Sequence, residues 1–182
     1  MYNPTTQQNN KTKNKMEISM VNMEAKLSEH FSLGELTKTN AKGLDNTPNH
    51  AAVNNLKNLC EGWLEDLRFS YNELYCLGPG EDYNTSKNVE PIIINSGFRS
   101  EAVNKAIGGV PGSNHLTGCA VDIRCAGVEQ ALRYAVILLD IADGTRRDFD
   151  ELLIERSPIG KYWVHFAVRP KDNRRKVRFI QT

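Results

Sequence analysis

Apolar residues recur along this chain at two spacings, and the change from one to the other marks out its elements. Val53, Leu56, Leu59, Trp63 and Leu67 follow one another at steps of three and four, which gives one apolar helical face to about Arg68. Thr47-Pro48 ahead of them supplies an N-cap and a proline at the first helical position. An earlier short helix opens at Ser32, with Glu35 at capping-box spacing, and stops before Gly43. After a polar, turn-rich stretch from Leu77 to Asn88, the run Pro91 to Asn95 reads as a buried strand, and Ser100 caps a short helix ended by Gly108-Gly109. Cys119 to Cys125 alternates as a strand, and Val128 to about Asp143 forms a third substantial helix. Residues 151–155, 162–168 and 176–181 then alternate as three short strands, which the intervening loops join into an antiparallel meander. With helices early and strands late, the pattern predicts an α+β fold: a small mixed or antiparallel sheet with the N-terminal helices packed on one face.

Composition changes this picture at one end. Residues 1–26 are rich in Asn, Gln, Thr and Lys, with almost no branched or aromatic side chains before Ile18, and read as a disordered polar tail. Residues 27–182 are left as one domain, the size a single core supports. The 23 Lys plus Arg against 22 Asp plus Glu give a net charge of +1, so no global field points to nucleic acid or an anionic membrane. No apolar run approaches the roughly 18–20 residues of a membrane span. The first residues lack the apolar core of a signal peptide, so a route to the outside, if used, is a different one. Cys60, Cys76, Cys119 and Cys125 show no C-x-x-C spacing and read as reduced, packed thiols.

The candidate chemistry lies on two of the strands. His115 precedes Gly118, which lets the chain turn into the strand where Ala120 and Asp122 share a face. In the later strand Trp163, His165 and Ala167 share a face, with Val164, Phe166 and Val168 left for the core. Two imidazoles and one carboxylate would leave a fourth zinc position open for water or substrate. Taken singly, a histidine beside an apolar strand is more often a packed residue than a ligand; taken with their neighbours, the metal reading leads. Arg99, after a buried strand and just ahead of a helix, is placed either for bidentate carboxylate recognition or for capping loop carbonyls.

Ser96-Gly-Phe-Arg-Ser100, Asn104, Gly108-Gly109, the core Ser113-x-His115-x-x-Gly118-x-Ala120-x-Asp122 and the later Trp163-Val-His165 together resemble the zinc D-alanyl-D-alanine carboxypeptidase-type peptidases. That superfamily includes lysostaphin-type peptidases and the hedgehog signalling domain. The front segments His30 to Leu36 and Asp45 to Pro48 are similar to its phage and bacterial branch. The resemblance implies one zinc ion on His115, Asp122 and His165, with Arg99 holding a substrate carboxylate or carbonyl. Ser113 would orient the ligand loop, touch substrate or simply serve as a turn residue, and Trp163 would wall the cleft or pack on its strand face. Many relatives carry a general-base Glu three residues before the last histidine ligand, where this chain has Tyr162, and others a histidine where it has Trp163. Glu155 is therefore the candidate base: Glu151, Leu153 and Glu155 share a strand face, and a hairpin through Gly160 can bring His165 alongside. Asp150 and Glu151 are the less favoured substitutes.

The function expected is a zinc metallopeptidase cleaving peptidoglycan stem peptides, as a D-Ala-D-Ala carboxypeptidase or a related cell-wall endopeptidase; a phage endolysin fits the missing signal. It would be a monomer, made in the cytoplasm and acting on the wall. The alternative is a non-catalytic zinc-containing module that binds the wall or a partner. Arg169, Lys171, Arg174, Arg175, Lys176 and Arg178 could favour an anionic polymer, but a solvated edge strand explains them better. Nucleic acid is not the expected partner.

Overall fold

Ser32 starts the first helix as its spacing predicts: its hydroxyl accepts the Glu35 N–H at 3.3 Å and opens α1 (Leu33–Thr37). The computed structural model describes residue 22 and residues 24–181, so most of the expected tail lies outside the described residues. Just ahead of α1, Leu27 N–H donates to Phe31 O and Leu33 N–H to Ala25 O, both at 2.9 Å.

The long apolar stripe forms three consecutive pieces: α2 (His50–Leu59), a wide π turn (Cys60–Leu64) and α3 (Glu65–Tyr75). Two expectations are corrected here. The N-cap is Asn49, whose side chain accepts the Ala52 N–H at 2.9 Å, while Thr47 is held in a local turn by Asp45. The helix also runs past Arg68, because Asn72 is buried and satisfied: its amide donates to Arg68 O and Glu90 O and accepts the Glu90 N–H. At the π turn the Arg147 guanidinium reaches Gly62 O, pairs with Asp66 at 2.8 Å and lies over Trp63. Such insertion of a side chain is one way a helix departs from its regular ladder.

Then come β1 (Ile94–Ser96), α4 (Glu101–Ala106) capped by Ser100, β2 (Ala120–Cys125), α5 (Val128–Thr145), β3 (Glu151–Arg156), β4 (Tyr162–Ala167) and β5 (Lys176–Gln181). The fold is α+β, with a five-stranded mixed sheet in the order β1-β2-β4-β3-β5. β3 and β4 form the expected hairpin, but the meander does not continue. β5 pairs parallel with β3, Glu151 opposite Lys176 and Glu155 opposite Ile180. The reason is topological: β4 is already paired on both sides, by β2 and β3, so the returning chain has no free edge on β4 and pairs with the outer edge of β3.

Strand alternation separates two faces. Val121, Ile123, Leu152, Val164 and Phe166 point to the core, where they join Leu56, Leu59, Leu64 and Leu67 of α2 to α3 and Leu138 and Ala142 of α5. Trp63 packs at a tilt against Phe166, 5.0 Å between ring centroids, and meets Phe149 edge-on. The opposite face carries the polar residues. All four cysteines are free thiols, three of them buried, and burial pushes the Cys60 and Cys125 thiols up, the latter to about 12.

Candidate metal centre

Register lays the residues of the polar face in three rows. Ser96, Asp122, His165, Leu153 and Arg178 form the middle row across β1, β2, β4, β3 and β5. On one side lie Ala120, Ala167, Glu151 and Lys176; on the other, Arg124, Trp163, Glu155 and Ile180. The small alanines leave room beside the middle row. His115 arrives from above, in the 3-10 turn Asn114–Thr117.

Two glycines set the height of that turn. Gly118 adopts φ +71°, and a Cβ there would stand 2.4 Å from Ala52 O, so α2 packs directly on its backbone. Gly97 likewise lies against α1, where a Cβ would meet Leu36 O at 2.3 Å, and Phe98 N–H donates to that carbonyl at 2.7 Å. Asn46 clamps the same segment by donating to Phe98 O and accepting the Ser100 N–H. Gly97 is thereby positioned to accept a hydrogen bond from His115 Nδ1 at 2.6 Å, which leaves Nε2 as the ring's lone-pair donor.

Three donor atoms converge. His115 Nε2 is 3.2 Å from His165 Nδ1 and 3.2 Å from Asp122 Oδ1, and the last two are 2.9 Å apart. All three residues are buried. Tetrahedral zinc, with ligands at about 2 Å, needs donors about 3.3 Å apart, so this triangle suits it and leaves a fourth position open toward the cleft. Electrostatics favour a positive charge there. Burial works against the ionised Asp122 carboxyl, yet His115 and His165 hold it well below the usual carboxylate range. His165 is pushed up to about 9; burial opposes the shift, and Asp122 and Glu151 outweigh it.

The cleft above this triangle, about 780 Å³, is lined by Arg99, Ser113, His115, Asp122, Glu155, Trp163 and His165, the whole set of residues singled out in the sequence. Their contacts refine the expectations. Arg99 pairs with Asp122 Oδ2 through Nη2 and donates to Ser96 Oγ at 2.8 Å through Nε, so part of its guanidinium orients a donor of the triangle. Ser113 Oγ accepts the His115 N–H at 3.4 Å, as a cap of the turn. Glu155 is half-buried; burial first, then Asp122, raises its carboxyl above the usual 4.5.

Sequence reasoning named the other end of β3, Asp150 and Glu151, only as less favoured substitutes for the base and missed the contacts made there. Asp150 is fully buried and gathers Asn114, Arg169 and Arg174. Glu151 pairs with Lys176 at 2.8 Å and Arg174 at 3.1 Å, and its Oε2 lies 3.6 Å from His165 Nε2. Contact with His165, against the cost of burial, and then Lys176 hold its carboxyl down at about 2. The C-terminal cations are therefore not all solvated: Arg169, Arg174 and Lys176 form one wall of the cleft. The strand parity that favoured Glu155 put Glu151 on the same face, which was the available signal.

The Peptidase M15 family model matches residues 82–142. The matched stretch holds Arg99, Ser113, His115 and Asp122 and ends ahead of β3 and β4. No curated protein matches the chain. Among the described residues no helix is long and apolar enough to cross a membrane.

Proposed function

We propose that the chain is a zinc-dependent metallopeptidase of the M15 kind that hydrolyses a peptide bond in the peptidoglycan stem peptide, as a D-alanyl-D-alanine-type carboxypeptidase or a related wall endopeptidase. The observation that carries this reading is the convergence of His115 Nε2, Asp122 Oδ1 and His165 Nδ1 in a cleft that also holds Glu155. The match over residues 82–142 supports the peptidase class.

His115, Asp122 and His165 would hold the ion, which supplies the Lewis acidity that makes water nucleophilic at neutral pH and polarises a carbonyl. Glu155 takes a proton from the attacking water and returns it to the leaving amine as the C–N bond breaks. Its raised carboxyl suits both halves of that exchange. Arg99 orients Asp122 and, with a guanidinium that offers five donors, also holds the substrate carbonyl or terminal carboxylate. Trp163 walls the cleft beside Glu155, its cross-strand neighbour. The protein acts as a monomer on the cell wall, in the manner of a phage lysis enzyme.

Mass spectrometry of muropeptides before and after incubation with zinc-loaded protein tests this. Loss of a terminal D-Ala, or a split stem, is expected. Glu155→Gln is expected to retain zinc and lose at least about 100-fold in rate. Unchanged hydrolysis by that variant removes Glu155 from the mechanism. Zinc and wall binding with unchanged muropeptides would instead make the protein a non-catalytic module.

A further inference from the structure

The two imidazoles of the donor triangle each have a second ring nitrogen. In metal sites that nitrogen nearly always donates its proton to a carbonyl or carboxylate, which fixes the ring and strengthens its lone pair. His115 meets this requirement through Gly97 O. His165 presents its Nε2 to Glu151 Oε2 at 3.6 Å, an ion-pair separation about half an ångström longer than a hydrogen bond. Glu151 is in turn held on both oxygens. Asn114, next in sequence to His115, donates to Oε2 at 3.2 Å. Lys176 reaches Oε1 at 2.8 Å, and Arg174 reaches the same oxygen at 3.1 Å. The carboxylate side chain is only 14% exposed, and two cations from the β5 side balance it. Such an arrangement exceeds what a surface ion pair needs, and it points one oxygen at a single ring.

We propose that Glu151 is a positioning residue: its carboxylate accepts the Nε2 proton of His165 and holds Nδ1 toward the metal, while Arg174 and Lys176 hold the carboxylate. This rests on the metal reading above, not on the peptidase reaction. It also divides the two glutamates of the β3 face. Glu151 serves the ligand, and Glu155 serves the substrate.

Zinc affinity, measured in the full chain by competition with a chromophoric chelator and without substrate, provides the test. Glu151→Gln is expected to weaken zinc binding by roughly 10- to 100-fold. Glu129→Gln, the same charge change on the outer face of α5, should leave affinity within about twofold. Equal affinities for wild type and Glu151→Gln overturn the proposal, since a merely structural ion pair would lower the melting temperature alone. A second measurement holds even if the variant folds poorly. In zinc-loaded wild type, the Nε2–H of His165 should give a protected downfield proton resonance, and its absence also overturns the proposal. A protein that binds zinc with these properties and cleaves nothing removes the peptidase reading and leaves this one standing.

Discussion

Gly118 occupies a position that no other residue can fill without strain, because its backbone is left-handed and α2 rests on it. Gly118→Ala meets both penalties, the αL conformation and a backbone contact at 2.4 Å. A loss of about 3 kcal/mol is expected, with the melting temperature falling by roughly 6–12 °C for a domain of this size. Because the same shift lifts His115 away from Asp122 and His165, zinc affinity should fall with it, which calorimetry and a chelator titration read separately. Asn72 makes a different case. Asn72→Ala would take the buried partner away from the Glu90 N–H and carbonyl at a part-buried junction. That change should cost about 1–3 kcal/mol in chemical denaturation while leaving zinc affinity unaltered.

At the scale of elements, the attachment of β5 depends on Asp150, which is fully buried and accepts from the backbone and side chain of Arg174 and pairs with Arg169. Burial opposes its ionisation, but Arg174 and Asn114 prevail and hold its carboxyl below the usual 3.8. A carboxyl lowered on folding contributes fully above its unfolded value and loses that contribution as pH falls through the native one. The melting temperature should therefore drop as pH falls below about 4. Asp150→Asn should be less stable at neutral pH and show a flatter acid limb. Little of this attachment was legible in the sequence, although much of the rest was. Ser32 and Ser100 announce their helices because a cap needs a hydroxyl at a fixed offset, and β2 and β4 announce their faces because alternation is local. The partner of β5 depends on which strand edges are already occupied, a fact spread over residues 120–167. Likewise, Asp122 and His165 could be read from parity and His115 from its place ahead of Gly118, whereas Glu151 and Glu155 lie symmetrically about Leu153, the cross-strand neighbour of His165. Which of them turns to the histidine is decided by Asn114, Arg174 and Lys176, none of them near in sequence.

For the whole molecule, the donor triangle ties the turn after α4 to the paired strands β2 and β4. Zinc that binds the folded chain alone should stabilise it by about 4 kcal/mol at a thousandfold excess over Kd, worth roughly 8–16 °C. Removal by a chelator should reverse this, and a melting temperature indifferent to zinc and chelator would exclude the site. The order of the strands also sets how the molecule opens. β2 and β4 are paired along both sides, whereas β5 has one free edge and exposes Val177 and Phe179. Amide hydrogen exchange should accordingly be slowest at Val121, Ile123, Val164 and Phe166 and fast along residues 176–181. Asp122 and His165 sit on the strands that open last, and the cation nearest Glu151 sits on the strand that opens first. Fraying of that edge would loosen the grip on His165 while the ligands stay in register, so the rate of metal exchange would follow the breathing of β5 and not the unfolding of the protein.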